Sequence, residues 1–219
     1  MMIPCRLAAL GLVLCFLGFG SATANAENAT DRYQALLVLA RSGQAVDWGA
    51  LRFAYADSPA YDPLGAKLAA VRHKMAQDFA AEDYAAALAD AQKILASDFV
   101  DIDAHMISDF ADQKLGRADD ARREHQIAVG LLKSIQVGDG KSESTAFPVI
   151  SVEEEHSVMR VLGLDVHDSA LVQAGDHTYD KLVGTGADGV TETYYFQIDH
   201  IQAAEQRGRP APPKRFFFF

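Results

Sequence analysis

The sequence predicts an α+β chain: antiparallel helical hairpins first, then a small antiparallel sheet carrying one helix. Three observations lead there. Apolar residues recur at helical spacing through residues 31–135, β-branched and aromatic runs separated by Gly/Asp turns fill residues 146–199, and a glycine loop, "VGDGKSESTA" (137–146), divides the two patterns. The expected segments are 1–26 (export signal), 27–137 (helical), 138–203 (glycine loop and α+β part) and 204–219 (disordered tail).

The opening segment reads as a signal peptide because a basic start ("MMIPCR") precedes an apolar run ("LAALGLVLCFLGFG") and a small-residue end ("SATANA"). Ala24 and Ala26 suit cleavage after Ala26, and Leu14 before Cys15 is too bulky for lipoprotein processing. The expected location is periplasmic or secreted. After this segment no apolar run approaches the roughly 18 residues of a membrane helix, so no span is expected in the mature chain. Both cysteines, Cys5 and Cys15, fall inside the signal, leaving a cleaved chain to depend on packing rather than on a disulfide. Lys and Arg number 20 against 30 Asp and Glu, and only Arg6 of these lies in the signal, so the remainder carries a formal charge of −11. Such a surface repels phosphate backbones, and nucleic acid is not an expected partner.

In the helical half, Tyr84, Ala87, Leu88, Ala91, Ile94 and Leu95 fall on one face of a helix. That stripe requires a neighbour. "EDYAAALADAQKIL" from Glu82 superposes on "GRADDARREHQIAV" from Gly116 at an offset of 34 residues, a period that resembles the tetratricopeptide repeat. Gly116 matches the turn glycine of that repeat, and Ala121 and Ala128 match its small interhelical residues. His105 and Phe99 replace its early aromatic and its terminal proline. The resemblance implies stacked hairpins over residues 68–132.

After the loop, "AFPVISV" reads as a strand and "EEEHSVMRVLG" as a short helix ended by Gly163. "SALVQAG", "TYDKLVGT" and "VTETYYFQID" read as strands. In the last, Val190, Glu192, Tyr194 and Phe196 share one face, so one side of the sheet is expected to pack on a helix. The tail "EQRGRPAPPKRFFFF" has prolines that block regular structure before four terminal phenylalanines.

The order of these motifs, "DWGALRFAYADSPAYDPLG", "FVDIDAHM", "EHQIAVGLLKSI", "GDGKSESTAFPVISVEEEHSVMRVLGL", "TYDKL" and "YYFQID", is similar to a bacterial exported family known as domain of unknown function 4919. The resemblance covers residues 47–199, with His156 standing where an aromatic is expected after the acidic run. It implies architecture and export, and supplies no activity.

Two places carry candidate site residues. In the glycine loop, Gly140-Lys141-Ser142 ends like a phosphate loop, yet Ile135 stands where its first glycine belongs, and a helix enters while a strand leaves, the reverse of the nucleotide-binding order. The loop is read as a chain reversal in which Asp139, Ser142 and Ser144 bond nearby backbone; alternatively Asp139, Lys141 and Ser142 line a cleft for an anionic ligand. In the helical half, Asp101, His105, Asp109 and Asp112 form one helical stripe, and the repeat register brings His125 toward His105. His105, His125 and Asp109 would then converge as zinc ligands, or else the histidines fill space in place of aromatics. Trp48, Tyr55 and Tyr61 are read as core or edge of the helical half, and Glu153, Glu154 and Glu155 as a helix start. The expected function is a non-enzymatic binding or scaffolding protein of the cell envelope, with an envelope protein or small ligand as partner and no cofactor. The alternative is a metal-dependent hydrolase using His105, His125 and Asp109 with zinc.

Overall fold

Four helices, α3 (Ala69–Ala80), α4 (Tyr84–Ser97), α5 (Ile102–Lys114) and α6 (Ala118–Ile135), form the two hairpins, in a computed structural model that describes residues 20–208. Side chains are described from residue 28 to 206. Each hairpin turns through a left-handed residue at the same point of the repeat, Glu82 at φ 61° and Gly116 at φ 76°. The second turn uses the residue that adopts this conformation at least cost; the first places a glutamate there. Asp83 caps α4 by accepting from the Ala86 N–H, and Asp101 caps α5 by accepting from Ala104. Ala87, Ala91, Ala121 and Ala128 are buried where the helices approach one another, so the stripe read from sequence is the packed one.

Two further helices extend the stack. α1 (Gly20–Arg41) packs on α2 (Trp48–Ala56), and α2 packs on α6. At that last contact Gly130 has no room for a side chain, because Trp48 lies against it. Tyr55 is buried, and the Tyr61 hydroxyl donates to the Ile150 carbonyl, so these aromatics belong to the interior and its edge.

The sheet is mixed rather than antiparallel, which corrects the expectation. Strands β2 (Leu164–Ala174), β3 (His177–Gly186) and β4 (Thr191–Gln197) form an antiparallel meander. β1 (Phe147–Pro148) pairs parallel to β4, giving the order β1-β4-β3-β2. Only two residues of the run at 146–152 join the sheet, since Pro148 lacks an N–H and Ser151 begins the next helix. That helix, α7 (Val152–Val161), is capped by Ser151 and carries three glutamates in its first turn, where the dipole favours them. The glycine loop extends the β1 edge: the Tyr195 N–H of β4 donates to the Gly140 carbonyl at 2.8 Å. A second correction concerns the carboxyl end. Residues 199–208 form helix α8 (Asp199–Gly208), so the stretch expected to be disordered begins with helix, and residues 209–219 with their four phenylalanines lie outside the described residues. The expected cleavage point falls within α1, and residues 1–19 are likewise outside the described region. Among the described residues no helix is long and apolar enough to cross a membrane.

One apolar core joins the halves. It runs from Tyr33 and Leu37 of α1 through Leu131 and Ile135 of α6 to Val158 and Met159 of α7, Phe196 of β4 and Ile201 of α8. A smaller cluster of Met75, Ala91, Ile94 and Ala104 holds the outer hairpin. Gly140 sits where the loop meets the large core, at φ 69°, with a Cβ placed only 2.5 Å from the Phe147 ring and 2.9 Å from Tyr194. Gly116, at φ 76°, has open space around it. Gly116→Ala is therefore expected to cost only backbone strain, about 1–2 kcal/mol. Gly140→Ala adds overpacking of roughly 1–3 kcal/mol. Urea unfolding of the two variants measures the difference, and equal losses would mean that the loop does not press on the sheet.

Candidate functional site

The residues singled out from sequence separate into three places. His105 is fully buried, with Nδ1 2.5 Å from a Glu124 carboxylate oxygen and Nε2 2.8 Å from the Phe99 carbonyl. Its ring also meets the Phe99 ring edge-on, with centroids 5.0 Å apart. The two departures from the repeat pattern thus pack on one another. Both ring nitrogens are thus engaged by oxygen atoms of the fold itself. His125 points elsewhere: it is exposed, and its Nδ1 lies 3.0 Å from Asp109. Asp109 joins one histidine, not two, because Glu124 has taken the other. Among the described residues no group of three or more His, Cys, Asp or Glu is placed to hold a metal ion.

In the glycine loop each candidate side chain is engaged locally. Asp139 accepts from the Lys141 N–H at 3.0 Å, and hydrogen bonds from Thr145 and Lys141 hold its carboxyl below the ordinary range. Ser142 and Thr145 form a reciprocal capping box around a single 3-10 turn. The Lys141 ammonium sits 2.5 Å from Glu192 and 3.4 Å from the centre of the Tyr194 ring. The loop's cation is committed to β4.

An apolar-lined concave surface lies between the first helices of the two hairpins. α3 and α5 flank a groove of about 580 Å³, lined by Met75, Ala76, Phe79, Met106, Ile107 and Phe110. Met75 at its base is buried and Phe110 at its rim is 41% exposed. Phe79 meets Tyr84 and Phe110 in T-shaped contacts, Tyr84 and Phe110 are tilted against each other, and the Lys114 ammonium lies 5.1 Å from the Phe110 ring centre. Arg72, Asp103 and Arg160 of α7 line the groove as well, Arg160 and Asp103 as an ion pair.

Sequence reasoning missed the charged network that fixes this groove against the sheet half. Arg52, fully buried in α2, makes a forked pair with Glu154 of α7, its Nε and Nη2 at 2.6 and 2.5 Å. The same guanidinium donates to the Pro148 carbonyl and to Ser134, while Glu154 also accepts the Ile150 N–H. Arg72 pairs with Asp101 at 2.7 Å and Asp98 at 3.4 Å, and reaches Glu153 at 3.7 Å. Burial works to lower the Arg72 pKa, but Asp101, Glu153 and Asp98 outweigh it and hold the pKa above its ordinary value. Acids outnumber bases here. Burial, with Asp101 beside it, accordingly pushes the Asp98 carboxyl well above the usual range despite Arg72. Lone arginines in "LRFAYA" and "AAVRHKMA", facing the acidic runs "DFVDID" and "EEE", were the available signal.

Comparison with known proteins gives one match. Residues 27–207 fit the family model described as "Domain of unknown function (DUF4919)". No curated protein and no solved structure matches the chain.

Proposed function

The chain belongs to the DUF4919 family, whose description assigns no activity, and we propose that it is a non-enzymatic binding or scaffolding protein of the cell envelope that holds an apolar segment of a partner polypeptide. The observation that carries this reading is the groove between α3 and α5, lined by Met75, Ala76, Phe79, Met106, Ile107 and Phe110, flanked by the charged groups of Arg72, Asp103 and Arg160, and open at Phe110. Its volume of about 580 Å³ lies within the range of ligand-binding clefts. Two methionines, Met75 and Met106, line it, and methionine adapts to varied apolar shapes, which suits a scaffold more than a reaction. Placement in the envelope rests on the basic start, apolar run and small-residue end of residues 1–26.

The test is peptide selection against the purified protein. Selected peptides are expected to carry clustered Leu, Phe or Met. Phe110→Asp should weaken them at least about tenfold, equivalent to roughly 1.4 kcal/mol, in fluorescence anisotropy, with the protein still folded by circular dichroism although it loses the ring contacts to Phe79 and Tyr84. Peptides bound equally well by the variant would overturn the groove as the binding surface. For location, mass spectrometry of the protein recovered from the envelope fraction or medium is expected to find Glu27 at its amino end.

A further inference from the structure

A second concavity lies in the sheet half. Helix α7 packs on β2, and between α7, β2 and β3 opens a cleft of about 530 Å³. Val152, Val166 and Leu182 give it apolar walls, and the carboxyl groups of Glu155 and Asp180 line it and hydrogen-bond to each other. Glu155 is only 1% exposed.

A buried acid normally has a cation beside it. The rule holds for the other buried acids among the described residues: Asp90, Asp98, Asp101, Asp112 and Glu154 each have a lysine or arginine nitrogen within 3.6 Å. Glu155 is the exception, its partner being a second acid. Among the described residues no lysine or arginine lines the cleft. Glu153 and Glu154 on α7 are acids, His156 faces Asp180 from α7, and β2 contributes His167 and Asp168. Lys181 of β3 lies 6.0 Å from the Tyr195 ring centre and is not among the residues lining the cleft. Burial first, then Asp180, Glu154 and Glu153, push the Glu155 carboxyl up to about 9. Burial and the neighbouring acids therefore favour the protonated form of Glu155 at neutral pH.

We propose that this cleft binds a primary alkylammonium group, the ammonium lying between Glu155 and Asp180 and the alkyl stem along Val152, Val166 and Leu182. A free aliphatic amine and the lysine side chain of a peptide share this chemistry. On binding, the Glu155 proton leaves to solvent, and the ligand's positive charge offsets the negative charge gained.

The experiment titrates n-butylammonium into the full protein, following the Glu155, His156 and Asp180 amide signals by NMR. Proton release is measured by calorimetry in two buffers of different ionisation enthalpy. Saturable shifts at these residues are expected, with close to one proton released and affinity rising about tenfold per pH unit between about pH 6.5 and 8. n-Butanol, of similar shape without charge, is expected not to bind. Glu155→Gln keeps the shape and a hydrogen bond to Asp180, and should bind at least about tenfold more weakly without releasing a proton while remaining folded by thermal melting. Nα-acetyl-lysine methylamide binding more tightly than n-butylammonium identifies a peptide lysine as the source, and the reverse order identifies a free amine. Absent shifts, equal binding of butanol, or unchanged affinity and proton release in both Glu155→Gln and Asp180→Asn would overturn the site.

Discussion

Replacing Arg52 by alanine is expected to remove about 3–5 kcal/mol of unfolding free energy, the usual consequence of leaving one member of a buried pair alone. Glu154 would keep a charge at 4% side-chain exposure with no arginine to meet it, and the Pro148 carbonyl and Ser134 would lose a donor. Against the roughly 5–15 kcal/mol that holds an ordinary domain together, that loss brings the fold close to its limit. The double variant Arg52→Met with Glu154→Leu should recover much of it, since a packed apolar pair avoids burying charge. The Ile150 N–H would still lack its acceptor, so recovery is incomplete. Urea unfolding of the four proteins in the cycle tests this. A single variant losing less than about 1 kcal/mol would show that the pair does not tie α2 to α7.

The second large effect is on the pH dependence of stability. The Glu155 carboxyl is raised to about 9 by burial and by Asp180, Glu154 and Glu153, whereas unfolded it returns to its ordinary value of 4.5. Between those values the folded state binds a proton that the unfolded state does not. The stability is therefore fully present below about pH 4.5 and is lost as pH rises toward about 9, at up to roughly 1.4 kcal/mol per unit. Asp98, Asp112, Glu153 and Asp180 are raised as well, burial being the first cause of each, and push in the same direction. Glu155→Gln cannot ionise and is expected to be more stable than the natural protein at pH 8.5 and nearly equal to it at pH 5. Denaturant unfolding at the two pH values measures this; parallel stability curves would show that Glu155 is ionised in the fold.

Much of the helical half was legible in the sequence because its signals are local. The stripe from Tyr84 to Leu95 states which face is buried, and the offset of 34 residues places Glu82 and Gly116 at equivalent turns, both left-handed in the fold. The parallel β1–β4 pair was not legible, because two residues of pairing leave no periodicity and depend on where the glycine loop sets Phe147. Helix α8 was obscured by the proline-rich and arginine-rich composition that follows it. The candidate site shows the same division. Asp109 and His125 do meet, as helix spacing within one hairpin allows, but Glu124, one residue before His125, claims His105. Nothing in spacing distinguishes the two neighbours. Arg52 with Glu154 and Glu155 with Asp180 join residues whose approach is decided by tertiary packing, so composition flagged the charges without matching them.

The shared core has a temporal side. Phe53 rests on the ring of His200, 4.8 Å away, and Arg52 waits 102 residues for Glu154. As the chain emerges from its amino end, Arg52 lacks its counterpart until Glu154 of α7 has appeared, and Phe53 lacks His200 until the last tenth of the polypeptide, so the large core closes only near the end. The order of synthesis thus leaves the joint between the two halves to be made last, after the outer hairpins.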